Sequence, residues 1–329
     1  MTTSAKALPF VSVVMPVRNE AGFIARSIGC VLAQDYPVER LEIIVADGRS
    51  TDATREIVAA LQAENQCLRL IDNPGGIAPT GLNAAIAEAK GEIIVRVDGH
   101  CEIAPDYVRN CVRHLLDDDV EGVGGPIETV SETPVAAAIA AAMSSPFGVG
   151  NSAFRTVKDK TMLTDTVAFP AYTRAIIERA GRYDEEMVRN QDDEYNYRLR
   201  KLGARILLAA DVRARYYSRS SLRSLFRQYY QYGYWKVRVL QKHPRQMRWR
   251  QFAPPLFVAA LLLGWLVSGW FWLALCGVYL TANLAATIYV ARQSDWRYVR
   301  WLPLVFLCLH VSYGLGFLVG LVRFAPRWW

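Results

Sequence analysis

Acidic residues are nearly absent from the last third of this chain: after Asp211 only Asp295 remains. Residues 1–211 carry 22 Lys and Arg against 30 Asp and Glu, a net of −8, whereas residues 212–329 carry 16 against 1, a net of +15. The overall +7 of the 329 residues therefore hides an acidic part joined to a basic one. Charge of either sign is also missing from Phe252 to Ala291 and again from Trp301 to Val322. Uncharged runs of that length are foreign to soluble surfaces and suit a bilayer core, which about 20 helical residues cross. The first run fits a hairpin of two spans turning near Ser268-Gly269. The second fits one more span, or a re-entrant segment that leaves the count at two.

Other absences narrow the class further. The six cysteines (Cys30, Cys67, Cys101, Cys111, Cys276, Cys308) show no CxxC spacing, which speaks against a zinc site or a disulfide framework and fits a reducing compartment. No Gly-x-Gly-x-x-Gly follows the first apolar strand, which disfavours a dehydrogenase. Met1–Pro9 lacks the basic and apolar regions of a signal peptide. A basic tail can bind nucleic acid or anionic lipid; the apolar runs beside this one favour lipid and no nucleic acid. Arginines before Phe252 and in the loop Arg292, Arg297, Arg300 place those segments in the cytoplasm by the positive-inside rule. Trp249, Trp265, Trp270, Trp296, Trp301, Trp328 and Trp329 lie near the proposed span ends, as an aromatic belt requires. The division expected is a cytoplasmic catalytic domain at 1–211, a basic aromatic interfacial segment at 212–251, and a membrane domain at 252–329.

What is present in the first part is an alternation of strands and helices. Strand patterns at Phe10–Val17, Leu41–Ala46, Leu68–Asp72 and Glu92–Val97 are separated by helical stretches at about Glu20–Gln34, Ala53–Glu64 and Thr80–Ala89, with Ser50 or Thr51 as a cap for the second. Such alternation predicts an α/β fold with a mostly parallel sheet covered by helices. Ligands collect at the carboxyl ends of the strands in these sheets. The polar signals stand there: Pro16-Val17-Arg18-Asn19-Glu20, then Asp47, then Asp98-Gly99-His100. Singly each is explained as a turn or cap; together they put carboxylates suited to ribose, base and metal in one crevice.

These motifs resemble the family 2 glycosyltransferases of GT-A fold. The resemblance implies an inverting transferase that takes a nucleotide-sugar donor. It assigns the nucleoside contact to Asp47, with Asp52 assisting and Pro16, Val17, Arg18, Asn19 and Glu20 lining the pocket. Asp98 and His100 stand at the family's Asp-x-Asp metal motif, with His100 replacing the second aspartate. They imply a divalent cation, Mn²⁺ or Mg²⁺, and the imidazole suits Mn²⁺ better. The helix-start motif Glu-Asp-x-Asp-Leu falls on Gln191-Asp192-Asp193-Glu194. This makes Asp192 the general base and Glu194 the later acid, with Asp193 the competitor if the register slips by one. Gly181-Arg182-Tyr183-Asp184-Glu185 resembles the family's preceding turn.

In Gln231-Tyr232-Gly233-Tyr234-Trp235 the resemblance places an acceptor-side helix. Gln231, Tyr234 and Trp235 take the positions of the processive synthases' Gln-x-x-Arg-Trp, and Tyr234 in place of arginine favours single transfers. The run Ser145–Asn151, Asp-x-His and Arg227–Lys236 are similar to succinoglycan-type exopolysaccharide glucosyltransferases. This implies glucose from UDP-glucose passed to a polyprenyl-diphosphate-linked saccharide at a bacterial inner (plasma) membrane. Two alternatives stay open: a polyprenyl-phosphate sugar synthase, and a silent nucleotide-binding membrane scaffold.

Overall fold

The computed structural model describes residues 8–131, 133–150, 152–217 and 221–328. Trp329 of the aromatic belt, Asn151 and most of Met1–Pro9 lie outside the described residues. The chain divides into two compact units, one of residues 1–128 and 157–216, the other of residues 129–156 and 217–329.

The first unit begins β1 (Val11–Val17), α1 (Ile24–Leu32), β2 (Leu41–Asp47), α2 (Thr54–Glu64), β3 (Leu68–Asp72), α3 (Ala78–Glu88) and β4 (Ile93–Arg96). It continues through β5 (Cys101–Ile103), α4 (Tyr107–Asp117), β6 (Gly122–Gly125) and β7 (Ile127–Val130). After the second unit's α5 (Pro134–Met143), α6 (Pro146–Val149) and α7 (Ala153–Thr156) it resumes with β8 (Met162–Leu163), β9 (Ala168–Thr173), α8 (Arg174–Ala180), α9 (Gln191–Lys201), β10 (Ile206–Leu208) and β11 (Ala214–Tyr217). One eight-stranded sheet runs in the order β3-β2-β1-β4-β9-β6-β10-β8. β1 to β4 and the β6–β10 pair are parallel, while β9 is antiparallel to both its neighbours. The expected mostly parallel sheet is therefore present.

Register fixes what meets at the carboxyl edge: Val17 pairs with Asp47, and Asp47 with Asp72, while Val14 pairs with Arg96, two residues before Asp98. Beneath this edge one sheet face is buried by α3, α8 and α9 through Val14, Ile44, Leu82, Tyr172, Ile176, Tyr195 and Leu199. Fully burying such a side chain contributes roughly 1.5–3 kcal/mol, so the edge rests on a rigid base.

Two local expectations are corrected. The first helix begins at Ile24 rather than Glu20 because the N–H groups a helix start would present are taken elsewhere: Asn19 N donates to Ser50 Oγ (2.9 Å), Glu20 N to Thr54 Oγ1 (2.8 Å) and Ala21 N to Asp52 Oδ2 (3.2 Å). Neither Ser50 nor Thr51 caps α2; Asp52 Oδ1 accepts from Thr54 N instead (3.1 Å).

The second unit adds α10 (Leu222–Lys242), α11 (Trp249–Val267), α12 (Gly269–Gln293) and α13 (Leu302–Arg323). Residues 129–156, which the sequence places in the catalytic part, pack here. Ala138, Ile139, Ala142 and Met143 of α5 share a core with Leu225, Tyr229, Leu302, Val305, Phe306 and Leu309. An alanine-rich helix offers no polar face to water and so burial decides its place. The last three helices are long and apolar enough to cross a membrane, and the first pair turns at Ser268 as expected.

Candidate active site

Pro16 and Val17 close β1, and the chain then turns through Asn19, whose φ of 55° is left-handed, a conformation asparagine tolerates better than most residues. Asn19 Oδ1 accepts from Thr51 N (2.8 Å), and Arg18 Nη1 donates to Gly76 O (3.1 Å). The loops after β1, β2 and β3 are thereby laced together. Gly76 has φ +68° and lies against Gly48, where an added Cβ would come within 3.3 Å of its backbone. A larger residue at either position would open this seam.

Asp47 sits at the centre of the seam with its side chain fully buried. Its Oδ2 accepts from Ser50 N (3.2 Å) and from Arg55 Nη1 (3.0 Å), and Arg55 Nη1 also bonds Asp72 Oδ1 (2.8 Å). Its Oδ1 is buried without a hydrogen-bond partner. Leaving a buried acceptor unsatisfied costs about 1–3 kcal/mol, and a ligand N–H or O–H placed there would recover that energy. Asp52 lies one turn away; the Thr54 hydroxyl bonded to it holds its carboxyl below the usual range.

The second half of the site hangs on a residue that sequence reasoning overlooked. Arg96 closes β4 almost completely buried, and a buried charge must be paired. Its Nε donates to Asp98 Oδ1 (2.9 Å) and its Nη1 to Asp192 Oδ1. One guanidinium therefore holds the carboxylate after β4 and the carboxylate at the start of α9. Burial alone would lower the pKa of Arg96, but Asp192 and Asp98 together raise it above its ordinary value. Burial pushes the Asp192 carboxyl up, with Arg96 opposing. The signal was legible in principle, since Arg96 is the only charge in Ile93-Ile94-Val95-Arg96-Val97.

Asn190, with φ 61°, enters α9, and Asp192, Asp193 and Glu194 occupy its first turn, where the helix dipole favours negative charge. Glu194 is buried and both its oxygens are held by Arg198 (3.0 and 2.9 Å), which also bonds the Ala180 and Arg182 carbonyls. The structure thus commits Glu194 to the turn that supports α9. That turn is locked by Tyr183 stacked on Tyr195 (3.9 Å) and by Asn83, which bonds Tyr183 N and O.

His100 Nδ1 lies 2.9 Å from Glu20 Oε1, and its ring meets Tyr216 edge-on. Among the described residues no three His, Cys, Asp or Glu side chains form a metal cage. A nucleotide-borne ion needs only one or two protein groups, with phosphate oxygens completing its shell, so the missing cage does not bear on Asp98, whose Oδ1 is held by Arg96, or on His100. Gln231, Tyr234 and Trp235 belong to the second unit. There Tyr234 and Trp235 pack on Phe324 at 4.8 and 5.7 Å.

The sheet order, with Asp47 and Asp98 at its carboxyl ends and Asp192 facing them from the start of α9, is the frame of a GT-A fold. The chain belongs to glycosyl transferase family 2, whose profile matches residues 12–181. It is 31% identical to the succinoglycan biosynthesis protein ExoA of Rhizobium meliloti (strain 1021), over 96% of each chain. Identity is 26% to the dolichyl N-acetyl-alpha-D-glucosaminyl phosphate 3-beta-D-2,3-diacetamido-2,3-dideoxy-beta-D-glucuronosyltransferase of Methanococcus voltae, over 95% of this chain and 98% of that one. The solved mannosyltransferase PcManGT from Pyrobaculum calidifontis, in complex with GDP-Man and Mn²⁺, shares the fold at a TM-score of 0.59 and 22% identity, covering 93% of this chain and 87% of its own. The protein is thus a glycosyltransferase bearing membrane-type helices.

Proposed function

We propose that the protein transfers single sugars, with inversion, from a nucleotide donor to a lipid-linked saccharide in exopolysaccharide synthesis. The bridging of Asp98 and Asp192 by Arg96 carries this reading, because it sets a donor-side acid and a helix-start acid in one site. The buried, unpartnered Asp47 Oδ1 supplies the acceptor for a nucleoside N–H or hydroxyl. Arg18, Asn19 and Glu20, with Pro16 and Val17 behind them, form the wall of that pocket, and Asp52 holds it in shape.

Asp192 takes the proton from the acceptor hydroxyl as its oxygen attacks the anomeric carbon opposite the diphosphate. The bond from that carbon to the phosphate oxygen breaks, the nucleoside diphosphate leaves, and the configuration inverts. A divalent ion held by Asp98 and His100 would neutralise the charge gathering on the departing diphosphate. Arg96 keeps Asp192 at the mouth of the site, and Asp193 adds a second negative charge beside the base.

The likeness to a succinoglycan biosynthesis protein supports the exopolysaccharide setting; within it the donor is read as UDP-glucose and the acceptor as a polyprenyl-diphosphate-linked saccharide at a bacterial inner membrane, with the catalytic unit cytoplasmic. The archaeal relative, whose name specifies a dolichyl-linked phosphate, supports a lipid-borne acceptor too. Gln231, Tyr234 and Trp235 are read as the part of the chain that approaches that lipid.

Membranes containing the protein, given a panel of radiolabelled nucleotide sugars with Mn²⁺ or a chelator, test this. One sugar should enter the lipid extract, only with metal. Nucleotide binding without transfer from any donor would leave the scaffold reading in its place.

A further inference from the structure

The three long apolar helices are not alike. In α11 and α12 only 17% of the most apolar stretch is buried, in α13 44%. The tip of the α11–α12 hairpin is bare, with Trp265, Leu266, Val267 and Trp270 between 61% and 83% exposed.

α13 is instead walled in along its length. On one side lies α10, approached so closely that a Cβ on Gly316 would overlap the Tyr230 carbonyl, and one on Gly233 the Tyr313 carbonyl. On another, His310 Nε2 lies 2.8 Å from Phe147 O, and the Phe147 ring meets Phe306 and His310 edge-on. The hairpin touches α13 through the half away from its tip: Tyr279 Oη is 3.0 Å from His310 Nδ1, Asn283 Nδ2 donates to Pro303 O (3.1 Å), and Gly314 abuts the Pro254 carbonyl.

α10 and α13 run parallel over their shared length. Cys308 Sγ approaches Leu222 O at one end, Gly316 meets Tyr230 and Gly320 meets Tyr234 in the middle, and Gln241 Nε2 bonds Phe324 O at the other. Whatever depth α13 reaches, α10 reaches with it. Yet α10 carries Arg223, Arg227, Lys236, Arg238 and Lys242 along that length. A crossing α13 would draw Arg227, which lies between the Leu222–Cys308 and Tyr230–Gly316 contacts and so level with the middle of α13, into hydrocarbon, which charged side chains avoid. The remaining face of α13 is an exposed apolar stripe, Leu304, Leu307, Val319 and Val322, with Arg300 before the helix and Arg323 and Arg327 at its end. An apolar face flanked by cations is the form of a helix lying in an anionic headgroup layer.

We propose that only the α11–α12 hairpin crosses the bilayer and that the α10–α13 pair lies flat in the interface. α11, with 19 residues, is about 28 Å long at 1.5 Å per residue, enough to carry Ser268 to the far side. Arg300 and Arg327 then stand on one side, with every basic segment on the side the positive-inside rule requires. Three spans would separate Arg300 from Arg327.

The test uses the full-length protein in intact cells and a membrane-impermeant maleimide, with Arg300→Cys, Arg327→Cys and Ser268→Cys compared with the parent chain. The expected result is added labelling of Ser268→Cys in intact cells, with Arg300→Cys and Arg327→Cys both labelled only after permeabilisation. Labelling of Arg327→Cys but not Arg300→Cys in intact cells would overturn the proposal in favour of three spans. Failure of Ser268→Cys to label before permeabilisation would overturn it in favour of a hairpin that does not cross.

Discussion

In the first unit a buried charge ties separate elements together: Arg96 is held at the end of β4 by two carboxylates, Asp98 and Asp192. In the second unit elements are joined by the absence of side chains, where Gly233, Gly316 and Gly320 let the α10 and α13 backbones approach closely. Charge pairing fixes direction and distance but tolerates little change in chemistry. Glycine contacts tolerate little change in volume. A catalytic edge needs the former, and helix pairs near lipid, where burial of apolar surface gives little drive, use the latter.

The difference is broken most strongly by adding volume to the second unit. Gly316→Leu should destabilise the helical unit by about 3 kcal/mol or more, since overpacking against backbone leaves no side chain to move aside. Limited proteolysis of the detergent-solubilised protein would register cuts in 222–323 at lower denaturant. Removing the charge from the first unit comes next. Arg96→Met should lower kcat about 100-fold, or ~2.7 kcal/mol, with a smaller change in donor KM, while Arg96→Lys recovers part of the loss. A KM-dominated defect would instead make Arg96 a donor ligand.

The same pair should set the acid limb of activity. Burial raises the Asp192 carboxyl above the usual range and Arg96 opposes it. kcat/KM should therefore fall as pH drops through a value above that of an exposed aspartate, and Arg96→Met should move the limb to higher pH. Asp47→Asn has the smallest expected effect, a roughly 10-fold weaker nucleotide affinity, because one acceptor oxygen is kept and one is exchanged for a donor. Isothermal titration with the nucleoside diphosphate measures it.

Much of the first unit was legible because its signals are local. Strand–helix alternation and the turn residues after β1 and β2 lie within short windows. Arg96 stood out as the one charge in its strand, but its link to Asp192 did not, because that partner is 96 residues away and only the fold brings them together. The late start of α1 was hidden for the same reason, its N–H groups being claimed by residues after β2. In the second unit, apolar runs announced helices but not neighbours. α5 is apolar on all sides and carries no face that names its partner. The spacing Gly316-x-x-x-Gly320 was present in the chain, yet as a run it reads only as a span.

The most direct measurement is sugar transfer by Asp192→Asn and Asp193→Asn side by side, with nucleotide affinity recorded for both. Loss of roughly 10³-fold or more in Asp192→Asn, with nucleotide binding kept and Asp193→Asn largely active, is the predicted result for a general base held by Arg96. Turnover surviving in Asp192→Asn, or lost only in Asp193→Asn, would contradict it.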